Sequence, residues 1–124
     1  NFINIFLNDK ALRKQIMSIE TDSKELDEPK DPDSCNAFAL YSLLATKDQI
    51  ETMRSNYING GYGYGHAKQA LFELIVEKYS KERQRYNHLM EHPQEIEDAL
   101  KIGAIKAKSI ANSVLKRVRN KVGY

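Results

Sequence analysis

GGYGYGHAKQALFEL (60–74) carries four glycines in its first six positions, followed by apolar residues at helical spacing. Two readings compete for it. A glycine-rich turn that opens a helix can cradle a phosphate. The same turn is also a compact way to stop one helix and start another. A dinucleotide fingerprint needs Gly-x-Gly-x-x-Gly between a strand and a helix. Here the order is Gly61-Tyr62-Gly63-Tyr64-Gly65, and the segment before it has a helical period. A Walker loop needs Gly-Lys-Ser/Thr, which this stretch lacks. The stretch therefore reads as a helix–helix corner pinned by its tyrosines. One weaker role survives, in which the first N–H groups of the helix after Gly65, with Lys68 beside them, accept a phosphate.

Working outward, apolar spacings of three and four recur and strict alternation is almost absent, so the fold class is all-α. FINIFL (2–7) is the one candidate for an extended piece. Asn8 or Asp9 can cap a helix carrying Leu12, Ile16 and Ile19. TDSKELDEPKDPD (21–33) is acidic, holds two prolines and has no apolar period, so it is a loop. Asp33 or Ser34 can cap a short helix through Ala37, Phe38, Tyr41, Leu44 and Ala45. Thr46 can cap the next, with Ile50, Met53, Arg54 and Tyr57 on one side and Asn59-Gly60-Gly61 as its stop.

A single long helix is expected from about 65 to 92, with Ala67, Leu71, Leu74, Ile75, Tyr79, Tyr86, Leu89 and Met90 as its stripe. Pro93 fits the first position of a last helix. That helix repeats Leu100, Ala104, Ala107, Ala111, Val114 and Val118, a heptad-like seam. Gly103 within it costs roughly 1 kcal/mol of helix propensity. Close approach of the 65–92 helix is the expected compensation, so Gly103→Leu is expected to overpack. The architecture expected is an antiparallel helical bundle with two long C-terminal helices and several short N-terminal helices.

At 124 residues the chain suits one compact domain. Cys35 is its only cysteine, which excludes an internal disulfide and a cysteine-based zinc site. With no long apolar run and no signal-peptide pattern, the chain is expected to be cytoplasmic, with no membrane partner. Its charge is uneven. Residues 1–62 hold seven Lys/Arg and ten Asp/Glu, and residues 63–124 hold twelve and seven.

No Ser/His/Asp set is legible. His88 and His92 stand four apart, a metal-ligand spacing, but Glu91 is the only carboxylate beside them. A solvated helix end is the simpler account, so no catalytic, cofactor or metal residue is assigned. The basic residues say more. Lys78, Lys81, Arg83 and Arg85 crowd one stretch with Tyr79 and Tyr86 between them. Lys101, Lys106, Lys108, Lys116, Arg117, Arg119 and Lys121 follow with no acid. Basic helices with exposed tyrosines suit RNA, whose phosphates give affinity and whose unpaired bases stack on aromatics.

Several stretches together carry a resemblance. ALRKQIMSIETDS (11–23), EPKDPDSCNAFALYSLLA (28–45), GGYGYGHAKQAL (60–71), the run at 82–93 and GAIKAKSIANSVLKRVRNKVGY (103–124) resemble the C-terminal part of bacterial tryptophanyl-tRNA synthetases. The resemblance covers essentially the whole chain. It implies a class I aminoacyl-tRNA synthetase that activates tryptophan with ATP and Mg²⁺ and charges its tRNA as a homodimer. The chain has neither a KMSKS nor a HIGH-type motif and no Rossmann half. What the resemblance implies for residues 1–124 is therefore a helical, anticodon-side domain, partnered by tRNA and by its own catalytic domain. That domain is expected to be inactive alone, without a cofactor, and monomeric. A chain starting at Asn1 fits such a fragment; the alternative is an independent helical RNA- or protein-interaction module. The tRNA-binding candidates are Asp22, Ser23, Lys24, Lys68, Lys81, Arg83 and Arg85. The TDS loop would hydrogen-bond an unstacked base, and the cations would supply phosphate contacts.

Overall fold

The computed structural model describes residues 2–123; the terminal Asn1 and Tyr124 of the expected domain lie outside them. Among the described residues it has six helices and no strand. They are α1 (Asp9–Met17), α2 (Asn36–Ser42), α3 (Lys47–Asn59), α4 (Tyr64–Lys78), α5 (Ser80–Glu91) and α6 (Pro93–Val122). The chain divides into two units, one ending at Arg83 and the other starting at Gln84.

In the first unit the capping residues set the helix starts. The Asn8 side chain accepts the Ala11 N–H at 2.9 Å. Thr46 and Gln49 form a reciprocal capping box at the start of α3. At α2 neither Asp33 nor Ser34 caps; the capping position is Cys35, which makes no side-chain cap bond. FINIFL is not a strand. Gln15 of α1 holds it instead, accepting the Asn4 N–H at 3.0 Å and donating to the Phe2 carbonyl at 2.9 Å.

α1 and α2 both pack on α4, and α2 also meets α3. Leu12, Ile16, Ala37, Phe38, Met53, Tyr57, Ala67, Leu71 and Ile75 form the buried core, as their spacing predicts. A fully buried side chain such as Leu12 contributes about 1.5–3 kcal/mol by leaving water. Tyr57 is its centre, with ring centroids 5.5 Å from Phe38 and 6.0 Å from both Tyr62 and Tyr64.

The expected single helix over 65–92 is two helices. Tyr79 leaves helical geometry at φ −105° and ψ 21° and ends α4. The reason lies in the sequence of α5, SKERQRYNHLME, which buries none of its residues. Beyond Tyr79 the apolar period has no core to follow, and Tyr86 and Met90 of the expected stripe are exposed.

In the second unit α6 starts with Pro93 in its first turn and ends on Gly123, in the left-handed conformation at φ +92°. None of its residues is buried. A Cβ added at Gly103 would meet nothing within 4 Å. The expected packing of Gly103 against the preceding helix is therefore overturned. Within this chain Gly103→Leu fills open space and gains helix propensity.

Candidate nucleic-acid interface

The loop over residues 20–33, featureless in the apolar pattern, is built around one lysine. Lys30 is 3 % exposed. Its ammonium donates to the carbonyls of Glu25 at 2.7 Å, Leu26 at 3.2 Å and Glu28 at 2.9 Å. That uses all three of its protons. Its backbone N–H donates to the Tyr57 carbonyl at 2.7 Å, tying the loop to the end of α3. The ammonium also lies 5.4 Å from the centre of the Tyr64 ring.

The glycine corner presses on this same loop. Gly60 has φ +77° and ψ 177°, and a Cβ there would stand 2.5 Å from the Asp27 carbonyl oxygen. A Cβ on Gly63 would reach the Leu26 side chain at 3.0 Å. The Gly63 N–H is already taken by His66 Nδ1 at 3.3 Å. The corner is thus a packing surface for a loop, and its geometry does not suit a phosphate cradle.

Asp22 sits where loop and corner meet. Its Oδ1 accepts the Tyr64 hydroxyl at 2.6 Å and the Lys24 N–H at 3.1 Å. The Tyr64 bond foremost, then the Lys24 N–H, hold the Asp22 carboxyl below the ordinary carboxylate value. Burial, reinforced by the bond to Asp22, pushes the Tyr64 hydroxyl well above the usual phenol range. Both bonds end on one oxygen, Oδ1. Glu20, Thr21, Asp22, Ser34, Cys35, Asn36 and Tyr64 line an open groove of about 340 Å³. The Cys35 sulfur meets the Tyr57 hydroxyl at 3.4 Å. At the loop's far end Arg54 clamps Asp33 at 2.8 Å and 3.2 Å, and this pairing holds the Asp33 carboxyl low.

The candidate cations divide by what they already hold. Lys24 donates to the Pro29 carbonyl at 3.2 Å, within the loop. Lys68, beside the start of α4, donates to the Met17 carbonyl at 3.2 Å and so closes the end of α1. Arg83 donates to the Ile5 carbonyl and, at 2.5 Å, to Asp9; its side chain is only 12 % exposed. It fastens the N-terminal segment. Lys81, on the exposed side of α5, carries no such bond, and Ser23 is exposed in the loop. Asp22, Ser23 and Lys24 share the loop that bonds Tyr64; Lys68 stands one turn after Tyr64 on α4, whereas Lys81 and Arg83 are on α5.

In the second unit Arg85 pairs with Glu95 at 3.1 Å. His88 meets the same carboxylate at 2.6 Å, and His88 foremost, then Arg85, keeps Glu95 below its ordinary value. His92 stacks on His88 with centroids 4.3 Å apart and bonds the His88 carbonyl through Nδ1. The histidines thus build the turn between α5 and α6. Among the described residues no three His, Cys, Asp or Glu side chains group as metal ligands. No described helix is long and apolar enough to cross a membrane.

Lys30 and Tyr64 are the residues that sequence reasoning left out of the site. Pro29 and Pro32 on either side of a lone lysine were the available signal, since they fix the loop's path.

Comparison with solved proteins gives the class first: the six helices are those of an aminoacyl-tRNA synthetase. They match the crystal structure of tryptophanyl-tRNA synthetase from Campylobacter jejuni with a TM-score of 0.93 at 39% identity, over 100% of this chain and 40% of that one. A second structure of that enzyme, complexed with ADP and tryptophan, matches with a TM-score of 0.94. Curated tryptophan–tRNA ligases agree. That of Campylobacter jejuni strain RM1221 is 39% identical over 99% of this chain, and that of Pseudomonas aeruginosa is 40% identical over 99%. The chain belongs to the tryptophanyl-tRNA synthetase family. It spans 39% and 27% of the length of those two relatives. No family model matches it.

Proposed function

We propose that this chain is the C-terminal, anticodon-side part of a bacterial enzyme that joins tryptophan to its tRNA using ATP. One observation carries the reading. The whole chain, at 39% identity and a TM-score of 0.93, overlays 40% of a tryptophanyl-tRNA synthetase. ATP and Mg²⁺ are assigned to the remainder of such an enzyme. The glycine corner here is filled by the 25–28 loop, so no residue of this chain is given a part in the chemical step.

The chain's own work is to hold tRNA. Asp22, Ser23 and Lys24 present hydrogen-bonding groups beside the Tyr64 ring, at the mouth of an acid-lined groove. A carboxylate oxygen there accepts the exocyclic amino group of an unstacked base, while a phosphate is repelled. Lys81 supplies a phosphate contact directly. Arg85 supplies one by exchanging Glu95 for a phosphate oxygen. Lys68 and Arg83 hold their elements in place and lend positive potential from behind their backbone bonds. The full enzyme acts as a homodimer in the cytoplasm, and this part alone is monomeric.

The test is tryptophan-dependent ATP–pyrophosphate exchange by the purified chain, run beside tRNA binding at several salt concentrations. Exchange at background, with salt-dependent tRNA binding, is expected. Exchange above a heat-killed control, or no salt dependence, overturns the reading.

A further inference from the structure

We infer that Asn36 is a specificity-determining residue of the groove beside Asp22, its amide donating to an acceptor on the tRNA base whose amino group Asp22 holds. The inference rests on the reading under Proposed function and names the class of base. It is one whose amino group stands next to a bare acceptor, as in cytosine and adenine. Asn36 is the first residue of α2 and lines the groove together with Asp22 and Tyr64. Glu20 lines it as well, so the groove is rich in acceptors. Among the residues that line it, Asn36 alone has a side chain with N–H donors.

Two observations single out this residue. First, the neighbouring donors are in use. The Tyr64 hydroxyl donates to Asp22 at 2.6 Å and the Ser34 hydroxyl to the Asp31 carbonyl at 3.3 Å. The Cys35 sulfur meets the Tyr57 hydroxyl at 3.4 Å. The Thr21 hydroxyl donates and accepts alike, so it does not choose between base edges. The Asn36 amide is exposed, and no side chain or carbonyl among the described residues takes it up. Second, α2 has no use for an asparagine there. Asparagine caps a helix from the position before its first residue. In α2 that position is Cys35, and the helix has no side-chain cap bond. Inside a helix asparagine is a poorer former than alanine. The chemistry of the groove supplies the use. Cytosine and adenine set an amino group next to a ring nitrogen with a free lone pair. A carboxylate takes the amino group and an amide N–H takes the ring nitrogen, a two-point contact to one unstacked base. Uracil has no amino group. Guanine sets an N–H beside its amino group and so meets the Asn36 donor with a donor.

The experiment is aminoacylation by the full-length enzyme and its Asn36→Ala, Asn36→Asp and Asp22→Ala variants. The substrates are the tryptophan tRNA and transcripts with each anticodon base changed in turn to uridine and to guanosine. A fold defect lowers charging of all of them alike and leaves their ratios untouched. At one anticodon position Asn36→Ala should shrink the preference for the cognate base over uridine by about tenfold, the scale of one lost base contact. The ratios at the other positions should hold. Asn36→Asp replaces the donor with an acceptor for the N1–H of guanine, so guanosine should become the best-accepted replacement at that same position. Unchanged ratios in both Asn36 variants, or equal losses on every tRNA, overturn the inference. In that event Asp22→Ala decides the rest: if it still shrinks a ratio, the groove reads a base without Asn36, and if it shrinks none, the reading of the groove fails too.

Discussion

Replacing Gly60 with alanine separates the two things the corner demands of its backbone. At φ +77° and ψ 177° Gly60 occupies a region that is essentially closed to other residues. Forcing a Cβ into it costs about 1–3 kcal/mol. That Cβ would also stand 2.5 Å from the Asp27 carbonyl oxygen, a backbone atom that cannot swing aside. Moving it carries the Lys30 loop along and adds about 1–3 kcal/mol of overpacking. The expected loss for Gly60→Ala is therefore roughly 2–6 kcal/mol. Two neighbours act as internal references. Gly61, at φ +74° with nothing within 4 Å, should lose only the conformational part, about 1–2 kcal/mol. Gly65, in α4 with open space around it, should gain up to about 1 kcal/mol as alanine. Urea unfolding followed by the near-ultraviolet circular dichroism of the tyrosines reads the first unit, because Tyr57 packs tilted against Tyr62 and edge-on against Tyr64 beside the corner. If Gly60→Ala unfolds within about 0.5 kcal/mol of Gly61→Ala, the loop does not press on the corner and the account of the glycines is wrong.

Other outcomes follow from the same contacts. Lys30→Met leaves three loop carbonyls without their donor and should lower stability by at least about 2 kcal/mol in the same urea assay; an unchanged midpoint would mean water replaces the ammonium. Tyr64→Phe should raise the Asp22 carboxyl toward its ordinary value of 3.8, read by carboxyl titration in NMR. Because the folded carboxyl titrates below the unfolded one, its stabilisation is present above the unfolded value and is lost as pH falls through the folded one. Tyr64→Phe should therefore flatten the acid limb of stability. Gly103→Leu should raise the helicity and melting temperature of this chain, through a gain of up to about 1 kcal/mol in helix propensity; a lowered melting temperature would mean another element does cover that face.

Much of the fold is legible because short-range patterns decide it. Leu12 and Ile16, or Ala67, Leu71 and Ile75, announce their buried face by spacing alone. Asn8, Thr46 and Pro93 mark helix starts through local chemistry that tertiary structure leaves intact. The break at Tyr79 has no proline or glycine to announce it. It follows from where the core ends, and that depends on α1 and α2 as well as on α4. Lys30 was hidden for a different reason. A lysine in an acidic loop reads as solvated, and only the path of the chain turns three carbonyls toward one ammonium. Arg83 reads as one of a basic crowd. Its partners, Ile5 and Asp9, are more than seventy residues away in sequence. The seam of α6 is visible as a pattern, but a pattern does not say which surface it meets, and a Cβ at Gly103 meets nothing within 4 Å.

The proposed tRNA contact lies in the loop that holds Asp22 beside Tyr64. Its most direct test is aminoacylation by the full-length enzyme carrying Asp22→Ala, on the tryptophan tRNA and on the same tRNA with an altered anticodon. Loss of one base contact should shrink the ratio of the two kcat/KM values by an amount equivalent to roughly 1–3 kcal/mol; any stability lost with the Asp22–Tyr64 bond acts on both tRNAs alike and leaves the ratio untouched. A ratio equal to that of the wild-type enzyme would show that the loop is only structural and that recognition lies elsewhere.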